Sequence, residues 1–291
     1  MPDPVAGPGE LVVDVRAASV NAADWKMRAG SYAPVSRFPY VPGRDFSGVV
    51  AALGEGVRDF KVGDRVFGVC DVGQEGAYGE KIAIKAAIVA RKPDALSHAE
   101  CAALALAGLT AVVSLEDTLQ LASGETILIQ GGAGGVAGFA IQLAKHLGAH
   151  VVTTARAANH AYVRALGADE VIDYQTEDFT RRVSACDALF DTVGGDVALK
   201  SFAVLRPGGR AAFIASGAAA PAAPPGVRAY RPKVGRDRRH LERIAALALS
   251  GAVRPPEIKR FSLSEAAAAH AISEGRHFRG KLVFVLASGD R

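Results

Sequence analysis

The chain has 291 residues, 49% of them hydrophobic and 22% charged, and a formal net charge of +4. This length suffices for one large hydrophobic core or two ordinary ones, and the composition excludes an intrinsically disordered chain. The small excess of positive charge is compatible with an anionic ligand, but it does not indicate a nucleic-acid partner.

Cys70, Cys101 and Cys186 are the three cysteines, and they lie far apart in the chain. Their odd number and wide spacing predict neither a disulfide framework nor a metal site. We interpret them as small buried residues of a reducing compartment. The sequence shows no secretory signal and no long apolar span, so we expect a soluble, cytoplasmic protein without a membrane partner.

The first hundred residues carry the signature of short β-strands. Their apolar alternation and the glycines between the runs are typical of a small irregular barrel or sandwich. The predicted strands are 9–15, 47–53, 65–69 and 81–84. Ser97 and Glu100 then have the spacing of a capping box, and small apolar residues predict a helix over 99–107. A β-rich domain is thus expected to give way to an α/β domain near residue 100.

The stretch 125–156 predicts a strand, a glycine turn, a helix and a second strand. Gly132, Gly134 and Ala137 satisfy the pattern G-x-G-x-x-G/A, which lets a backbone approach a pyrophosphate at a helix N-terminus. A purely structural glycine turn is the alternative, and the complete strand–turn–helix–strand context favours a dinucleotide site. The turn residues expected to contact the cofactor are Gly132, Ala133, Gly134, Gly135 and Val136.

The end of the second strand bears on which dinucleotide is bound. NAD sites place a carboxylate there for the ribose 2′-hydroxyl, whereas NADP sites place a basic residue near the 2′-phosphate. This chain has Arg156 and no acid in that segment. A solvated surface arginine is the alternative interpretation, but the missing carboxylate favours NADPH.

Three further strands are predicted in the α/β half, at 169–174, 186–192 and 208–216, with 205–209 as a turn. Because ligands bind outside the carboxyl ends of such strands, topology places Val193, Ala215 and Ser216 beside the nicotinamide. Residues 218–232 predict a long surface loop. The final elements expected are helices over 237–249 and 264–274 and strands over 257–263 and 277–284.

A cluster of basic residues follows the predicted loop. We interpret it as a solvated basic face, with a role at the NADP phosphate or in RNA binding as alternatives. No aromatic residues are interleaved to support RNA binding, so no nucleic-acid partner is expected. The cluster comprises Arg228, Arg231, Lys233, Arg236, Arg238 and Arg239.

Several motifs in order resemble those of one family. They are the glycine turn, the segments 19–24, 42–48, 57–66 and 166–174, and Gly108-Leu109-Thr110-Ala111. Together they are similar to the zinc-independent medium-chain dehydrogenase/reductases, in the quinone oxidoreductase (zeta-crystallin-like) branch. The resemblance implies an α/β protein with a GroES-like β-rich catalytic domain in 1–100 and 254–291. It also implies a Rossmann doubly wound parallel sheet in 101–253, with NADPH held in a cleft between the domains.

The resemblance also bears on metal chemistry and on the N-terminus. Zinc-dependent members carry cysteine where this chain has Asn21, and Gly-His-Glu where it has Gly43-Arg44-Asp45. Without thiolate or imidazole ligands, zinc activation of an alcohol is disfavoured, and no metal is expected. Members of the branch usually begin with an additional strand before the segment that starts at Pro2, and its loss is expected to expose a sheet edge.

Further site residues are implied by the resemblance. Thr110 and Tyr174 are expected to contact the cofactor. Thr110 is predicted to lie at the entrance of a helix. Phe278, Gly280 and Lys281 match the closing motif of the family, which touches the cofactor.

The catalytic residues expected from the resemblance lie in the N-terminal half. Tyr32 is the candidate proton donor, and Asn21 is expected to orient substrate or nicotinamide through its amide. Asp24 is expected to cap backbone N–H groups of its loop.

The resulting hypothesis is a zinc-independent, NADPH-dependent oxidoreductase that transfers hydride to a quinone. Reduction of an enone or enoyl thioester, such as a 2-alkenal, on the same scaffold is the first alternative. An NADPH-binding protein without turnover, acting through RNA or protein partners, is the second. The resemblance further implies a homodimer formed through the edge of the Rossmann sheet.

Overall fold

The computed structural model describes residues 2–35, 38–215, 217 and 219–286. The chain divides into two compact units. The first comprises Met1–Leu106, Gly235–Gly251 and Pro255–Arg291, and the second comprises Ala107–Val234 and Ala252–Arg254. Relative to the domain boundaries expected from the sequence, the residues 101–106 and 235–251 group with the first unit instead of the second.

The first unit is built around one mixed sheet with helices on it. Its elements are β1 (Glu10–Ser19), α1 (Ala22–Arg28), β2 (Asp45–Leu53), β3 (Arg65–Val69), β4 (Lys81–Lys85), β5 (Val89–Arg91), the start of α2 (His98–Val112), α6 (Arg238–Leu249), β12 (Ile258–Phe261), α7 (Ala266–Glu274) and β13 (Lys281–Val285). The strand order is β12-β13-β1-β2-β3-β5, and β4 also pairs with β1. The β-rich unit predicted from the sequence is therefore confirmed, including the return of the last strand to this sheet.

Strand β1 organises the first unit because three strands pair with it. Along one edge its first half pairs with β4 and its last residues, Ala17 to Ser19, pair with β13. Along the other edge it pairs with β2, with two register shifts that curve the ladder. Gly48 of β2 is required by this close approach, since a Cβ there would lie 2.2 Å from the Asp14 carbonyl oxygen. The end of β1 is thereby fixed beside β2 and β13.

The second unit is a doubly wound parallel sheet. Its strands and helices are β6 (Thr126–Gln130), α3 (Gly135–His146), β7 (His150–Ala155), α4 (His160–Ala165), β8 (Glu170–Asp173), β9 (Cys186–Asp191), α5 (Gly195–Lys200), β10 (Leu205–Phe213) and β11 (Arg228–Tyr230). The order is β11-β10-β9-β6-β7-β8, with all pairings parallel. This is the Rossmann order, and the crevice for a ligand opens between β6 and β9, where the strand order reverses.

Several local predictions are corrected by tertiary structure. The predicted loop 218–232 contains β11, whose three residues are too short to show a period but pair with β10. The predicted turn 205–209 is the irregular start of β10. The polar segment after β1 forms α1 rather than a loop. Helix α2 continues through Gly108, so Thr110 lies within a helix and not at its entrance.

The expectation that the chain has no long apolar span is also wrong. Within the described residues, the helical stretch His98–Thr118 is long enough and apolar enough to cross a membrane, and its most apolar 18 residues have a mean hydropathy of 1.6. Of these 18 residues, 83% are buried inside the protein, and a buried core helix satisfies the same criteria of length and composition.

The basic cluster is not a uniformly solvated face. Arg231 donates to the Phe213 carbonyl oxygen in the second unit at 2.9 Å, and Arg236 donates to the Cys70 carbonyl oxygen in the first unit at 3.2 Å. Arg238 donates to the Val89 and Ala86 carbonyl oxygens at 3.0 Å each and lies over the Phe60 ring. For these three arginines the interpretation as solvated side chains is therefore wrong, because they satisfy backbone acceptors.

We expect Arg238→Ala to destabilise the first unit, because it removes the hydrogen bonds that attach α6 to Val89 of β5 and to Ala86 before that strand. Loss of two part-buried hydrogen bonds and a cation–π contact predicts a decrease of about 2–3 kcal/mol in the free energy of unfolding. Arg239→Ala is the matched control, since Arg239 is exposed on the same helix. Chemical denaturation of both variants measures the difference, and equal stabilities would contradict the anchoring role.

Candidate functional site

The glycine turn of the second unit joins β6 to α3. Gly134 is the N-cap residue of α3, and no side chain caps this helix end. The turn is attached to β7, since the Gly132 N–H donates to the Thr154 carbonyl oxygen at 2.9 Å. The N–H groups of the first turn are thus presented together with the positive end of the helix dipole, which suits an anion.

The two motif glycines are needed for different reasons. A Cβ on Gly132 would lie 2.3 Å from the Thr153 Oγ1, so protein packing alone requires glycine there. A Cβ on Gly134 would meet nothing closer than the Gly131 carbonyl oxygen at 3.4 Å, and its φ of −75° suits any residue. Packing does not explain glycine at 134, whereas a phosphate passing against that backbone does. The turn therefore fits a dinucleotide.

Arg156 and Tyr174 are brought together at the carboxyl ends of neighbouring strands. Arg156 follows β7 and Tyr174 follows β8, and the Arg156 Nε donates to the Tyr174 hydroxyl oxygen at 2.7 Å. Tyr174 is 47% exposed, so the pair lies at the protein surface, at the carboxyl ends of β7 and β8. The sequence predicted these two residues separately, and the structure joins the guanidinium and the hydroxyl by a hydrogen bond.

The other predicted nicotinamide contacts lie at the same edge of the sheet. Val193 follows β9, and its N–H donates to the buried Asp191 carboxylate at 3.2 Å. Ala215 follows β10, and Ser216 lies outside the described residues. Thr110 is nearly buried in α2, with an exposed fraction of 9%. The topological argument thus places Val193 and Ala215 beside the crevice at the end of β9 and β10.

In the first unit, Asn21 and Asp24 begin α1 with a capping box. The Asn21 N–H donates to the Asp24 Oδ2 at 2.8 Å, which is the backbone-capping role expected for Asp24. The same oxygen also accepts from the Tyr78 hydroxyl at 2.8 Å. Tyr78 was not identified from the sequence, because it lies in a loop without a motif.

Asn21 is held between two buried charged groups. Its Nδ2 donates to the Asp45 Oδ1 at 3.0 Å, and its Oδ1 accepts from the Lys281 ammonium at 2.7 Å. Lys281 also donates to the Val20 carbonyl oxygen at 3.0 Å and is only 5% exposed. The amide expected to contact a ligand is therefore largely engaged within the protein, and so is the Lys281 ammonium expected to touch the cofactor.

Burial dominates the electrostatics of this group of side chains. It raises the pKa of Asp24 to about 7, helped by the neighbouring Asp45 charge and opposed by hydrogen bonds from Asn21 and Tyr78. It also raises the pKa of Asp45 and lowers the pKa of Lys281, although each of these two groups opposes the shift of the other. One buried ammonium thus faces two buried carboxyl groups, and the Asp24 Oδ1 has no hydrogen-bond partner.

Tyr32 lies against the guanidinium group of Arg44. The Arg44 Cζ is 4.7 Å from the Tyr32 ring centroid, and Tyr32 is 47% exposed. Arg44 forms a buried ion pair with Glu75 at 3.1 Å, with both side chains 2% exposed. The hydroxyl of Tyr32 is thus carried on a half-exposed ring whose orientation is fixed by a buried cation.

Gly280 and Phe278 have structural roles in the first unit. Gly280 has a φ of +72°, and a Cβ there would lie 2.1 Å from the Glu257 carbonyl oxygen. Phe278 is partly buried against the core of this unit. Among the described residues, no group of three or more His, Cys, Asp or Glu side chains could hold a metal ion.

Two family models match the chain in the same order as its units. The alcohol dehydrogenase GroES-like domain matches residues 7–94, and the domain described as zinc-binding dehydrogenase matches residues 166–284. Together with the mixed sheet and the Rossmann sheet, they define a medium-chain dehydrogenase/reductase.

Solved structures agree with this class over nearly the whole chain. A quinone oxidoreductase from Coxiella burnetii is 34% identical with a TM-score of 0.90, covering 99% of this chain and 93% of that one. Escherichia coli quinone oxidoreductase, solved in complex with NADPH, is 27% identical with a TM-score of 0.87, covering 98% and 94%. The chain belongs to the medium-chain dehydrogenase/reductase family, in its quinone oxidoreductase branch.

Two curated relatives differ in the activities that their names state. The chloroplast envelope quinone oxidoreductase homolog of Arabidopsis thaliana is 36% identical over 200 residues, covering 66% of this chain and 61% of the relative. The 2-methylene-furan-3-one reductase of Solanum lycopersicum is 38% identical over 224 residues, covering 73% of this chain and 56% of the relative. The chain thus spans about 60% of the length of the curated relatives that it matches.

We expect Asp24→Asn to stabilise the protein increasingly as the pH rises. A carboxyl group whose folded-state pKa is raised from 3.8 to about 7 makes folding less favourable as the pH passes from 4 to 7, and the full penalty persists above pH 7. The asparagine keeps an acceptor for Asn21 and Tyr78 but has no charge to bury. The gain should reach about 2–4 kcal/mol at pH 8 and vanish near pH 4.

Denaturation of wild type and variant across pH 4–9 measures this difference. Asp94→Asn is the control, because the Asp94 side chain is 85% exposed and its removal should change stability by less than about 0.5 kcal/mol at every pH. A stability difference for Asp24→Asn that does not change with pH would contradict the assignment.

Proposed function

We propose that the protein is an NADPH-dependent oxidoreductase that transfers hydride to a quinone or another activated C=C acceptor without zinc. The observation that carries the proposal is the Arg156–Tyr174 pair at the strand end where an NAD site would place a carboxylate. The uncapped α3 N-terminus and the unhindered Gly134 support a site for the pyrophosphate in the same unit. The E. coli relative, which binds NADPH in its own crystal structure, supports the same cofactor.

The residues proposed to bind the cofactor act mainly by orientation. When bound, NADPH would supply the hydride, and the backbone of 132–136 and the Arg156–Tyr174 pair would hold its phosphates. Val193 and Ala215 would flank the nicotinamide at the carboxyl ends of β9 and β10, and Ser216 stays a prediction from the sequence. The protein contributes positioning of the acceptor and exclusion of water more than acid–base chemistry.

A proton must reach the oxygen of the reduced acceptor. We assign its donation to Tyr32, whose ring is held by the Arg44 guanidinium. The O–H bond of Tyr32 breaks as the enolate or quinolate oxygen takes the proton, and solvent reprotonates the half-exposed phenolate. We also propose that the Asn21 amide orients the substrate or the nicotinamide; both of its N–H groups have partners within the protein, which fix the direction of the amide.

The residues at the family's zinc position do not suit a metal ion. The Lys281 ammonium donates to Asn21, and position 44 carries an arginine that is ion-paired with Glu75, where a zinc site requires thiolate, imidazole or carboxylate ligands. We therefore propose zinc-independent chemistry, although one matching family model is described as zinc-binding.

Reduction of an enone or enoyl thioester is the second candidate. It is favoured by the similarity to the tomato 2-methylene-furan-3-one reductase. Both reactions need the same hydride donor and the same proton, so the acceptor pocket alone distinguishes them. A parallel assay with a benzoquinone and a 2-alkenal decides between the two acceptors, and no turnover with either would refute the proposed activity.

A homodimer in the cytoplasm remains our proposal for the assembled protein. β11 is the outermost strand on one side of the Rossmann sheet and offers an edge for a second copy. Light scattering on the purified protein measures the oligomeric state. Two relatives are named as chloroplast proteins, and fluorescence microscopy of the tagged protein tests the proposed cytoplasmic location.

We expect Arg156→Ala to weaken NADPH binding about 10- to 100-fold and NADH binding less than about 3-fold, because the guanidinium would contact the 2′-phosphate, which NADH lacks. Fluorescence titration with both cofactors measures this. Arg164→Ala, in α4 of the same unit, is the matched exposed control and should change neither affinity. An equal loss for both cofactors, or wild-type turnover with no preference for NADPH, would show that Arg156 does not select the phosphate.

We expect Gly134→Ala to keep the fold and lose the cofactor. The added methyl group meets no protein atom closer than 3.4 Å, so the free energy of unfolding should stay equal or rise by up to about 1 kcal/mol. The same methyl group would collide with a pyrophosphate, so the Kd for NADPH should rise at least about 30-fold. Gly132→Ala serves as the contrast, because it should destabilise the protein itself. Unchanged NADPH affinity in a folded Gly134→Ala variant would remove the turn from the binding site.

A further inference from the structure

We infer that Lys281 is a positioning residue that acts through Asn21, and not a residue that contacts the cofactor. The inference rests on the proposed function, in which Asn21 faces the reacting groups. It assigns Lys281, with Asp45, to the orientation of one amide.

The orientation of the Asn21 amide follows from the chemistry of its two partners. The Lys281 ammonium only donates hydrogen bonds, so it must face the carbonyl oxygen, at 2.7 Å. An ionised Asp45 carboxylate only accepts them, so it must face the amide nitrogen, at 3.0 Å. A flipped amide would set donor against donor and acceptor against acceptor. One rotational state of Asn21 is therefore fixed by charge and not by packing.

The ionised state of Asp45 is itself supported by its hydrogen bonds. Its two oxygens accept from the Ser19 N–H, the Ser19 hydroxyl, the Asn21 amide and the Leu106 N–H, at 2.8 to 3.3 Å. Four donors stabilise a buried carboxylate against the loss of water. Burial raises the pKa of Asp45, and the Lys281 charge acts in the opposite direction. The amide dipole of Asn21 thus lies aligned between a negative and a positive group.

Lys281 is poorly placed to be a ligand group. It is 5% exposed, and its ammonium donates to two oxygens of the segment that joins β1 to α1, the Val20 carbonyl and the Asn21 amide. A contact with a phosphate or ribose would have to replace these bonds and leave the Val20 carbonyl oxygen buried without a partner. Holding Asn21 is the role that uses the bonds that Lys281 makes.

The test is a double-mutant cycle between Lys281→Met and Asn21→Ser. Serine keeps the N-cap of α1 but is too short to reach both charged groups. We expect each single variant to lower kcat about tenfold and to leave the Kd for NADPH within about twofold of wild type. Because Lys281 acts through Asn21, the double variant should be no slower than Asn21→Ser alone. Lys259→Met, an exposed lysine on the adjacent strand β12, is the control for charge removal.

Three outcomes would overturn the inference. Losses that multiply in the double variant would mean that the two residues act independently. A Kd for NADPH that rises about tenfold with Lys281→Met in both backgrounds would mean that the ammonium contacts the cofactor. A Lys281→Gln variant no faster than Lys281→Met would also count against it, because glutamine can still donate an N–H to Asn21 without a charge. Lys281→Gln also serves if the methionine variant does not fold.

A measurement independent of turnover separates this inference from the proposed function. The side-chain amide signals of Asn21, assigned by their loss in Asn21→Ser, should shift and exchange faster with water in Lys281→Met, and much less in Lys281→Gln. If the wild type turns over no acceptor and this change is seen, the positioning role stands and the proposed function fails. Unchanged amide signals in Lys281→Met would refute the positioning role, whatever the activity.

Discussion

The hydrogen bonds of one buried ammonium join the end of β1, the start of α1 and β13 in the first unit. Lys281 begins β13, and its side chain reaches the carbonyl oxygen after β1 and the amide that opens α1. Asp45, the first residue of β2, completes the group from the next strand. An ionised group deprived of water is tolerated only where such partners surround it. The three strands and the helix are therefore fixed at the point where Asn21 is presented.

This group carries one positive charge against two carboxyl groups. Asp45 has four donors, which stabilise its negative charge, whereas Asp24 has fewer donors and an oxygen without a partner. Asp24 is the group that holds a proton near neutral pH, with a pKa raised to about 7. A neutral Asp24 leaves the cluster balanced, with Lys281 against Asp45. The free energy of unfolding and the position of α1 therefore depend on pH through the buried Asp24 side chain.

The second unit prepares its site by a different physical principle. Backbone N–H groups at an uncapped helix end, and not side-chain charges, are the main donors for an anion there. Arg156 and Tyr174 add a hydrogen-bonded pair of side chains at the ends of β7 and β8. The turn is therefore suited to the pyrophosphate common to all dinucleotides, and in the proposed function the Arg156–Tyr174 pair selects between NADPH and NADH. Under that proposal, two short segments of sequence supply affinity and selectivity separately.

The sequence by itself determined the Rossmann unit, the β-rich unit and the glycine turn, because each produces a local hydrophobic period or a characteristic spacing of glycines. It also identified Arg156, Tyr174, Asn21 and Asp24 as individual residues. Only the tertiary structure brought Arg156 to Tyr174 and placed Lys281 and Asp45 on the two sides of Asn21. These contacts join residues 18 to 260 positions apart, and no local pattern encodes such a distance. Tertiary structure likewise paired β11 with β10 and carried α2 through Gly108, since pairing and burial override weak local propensity.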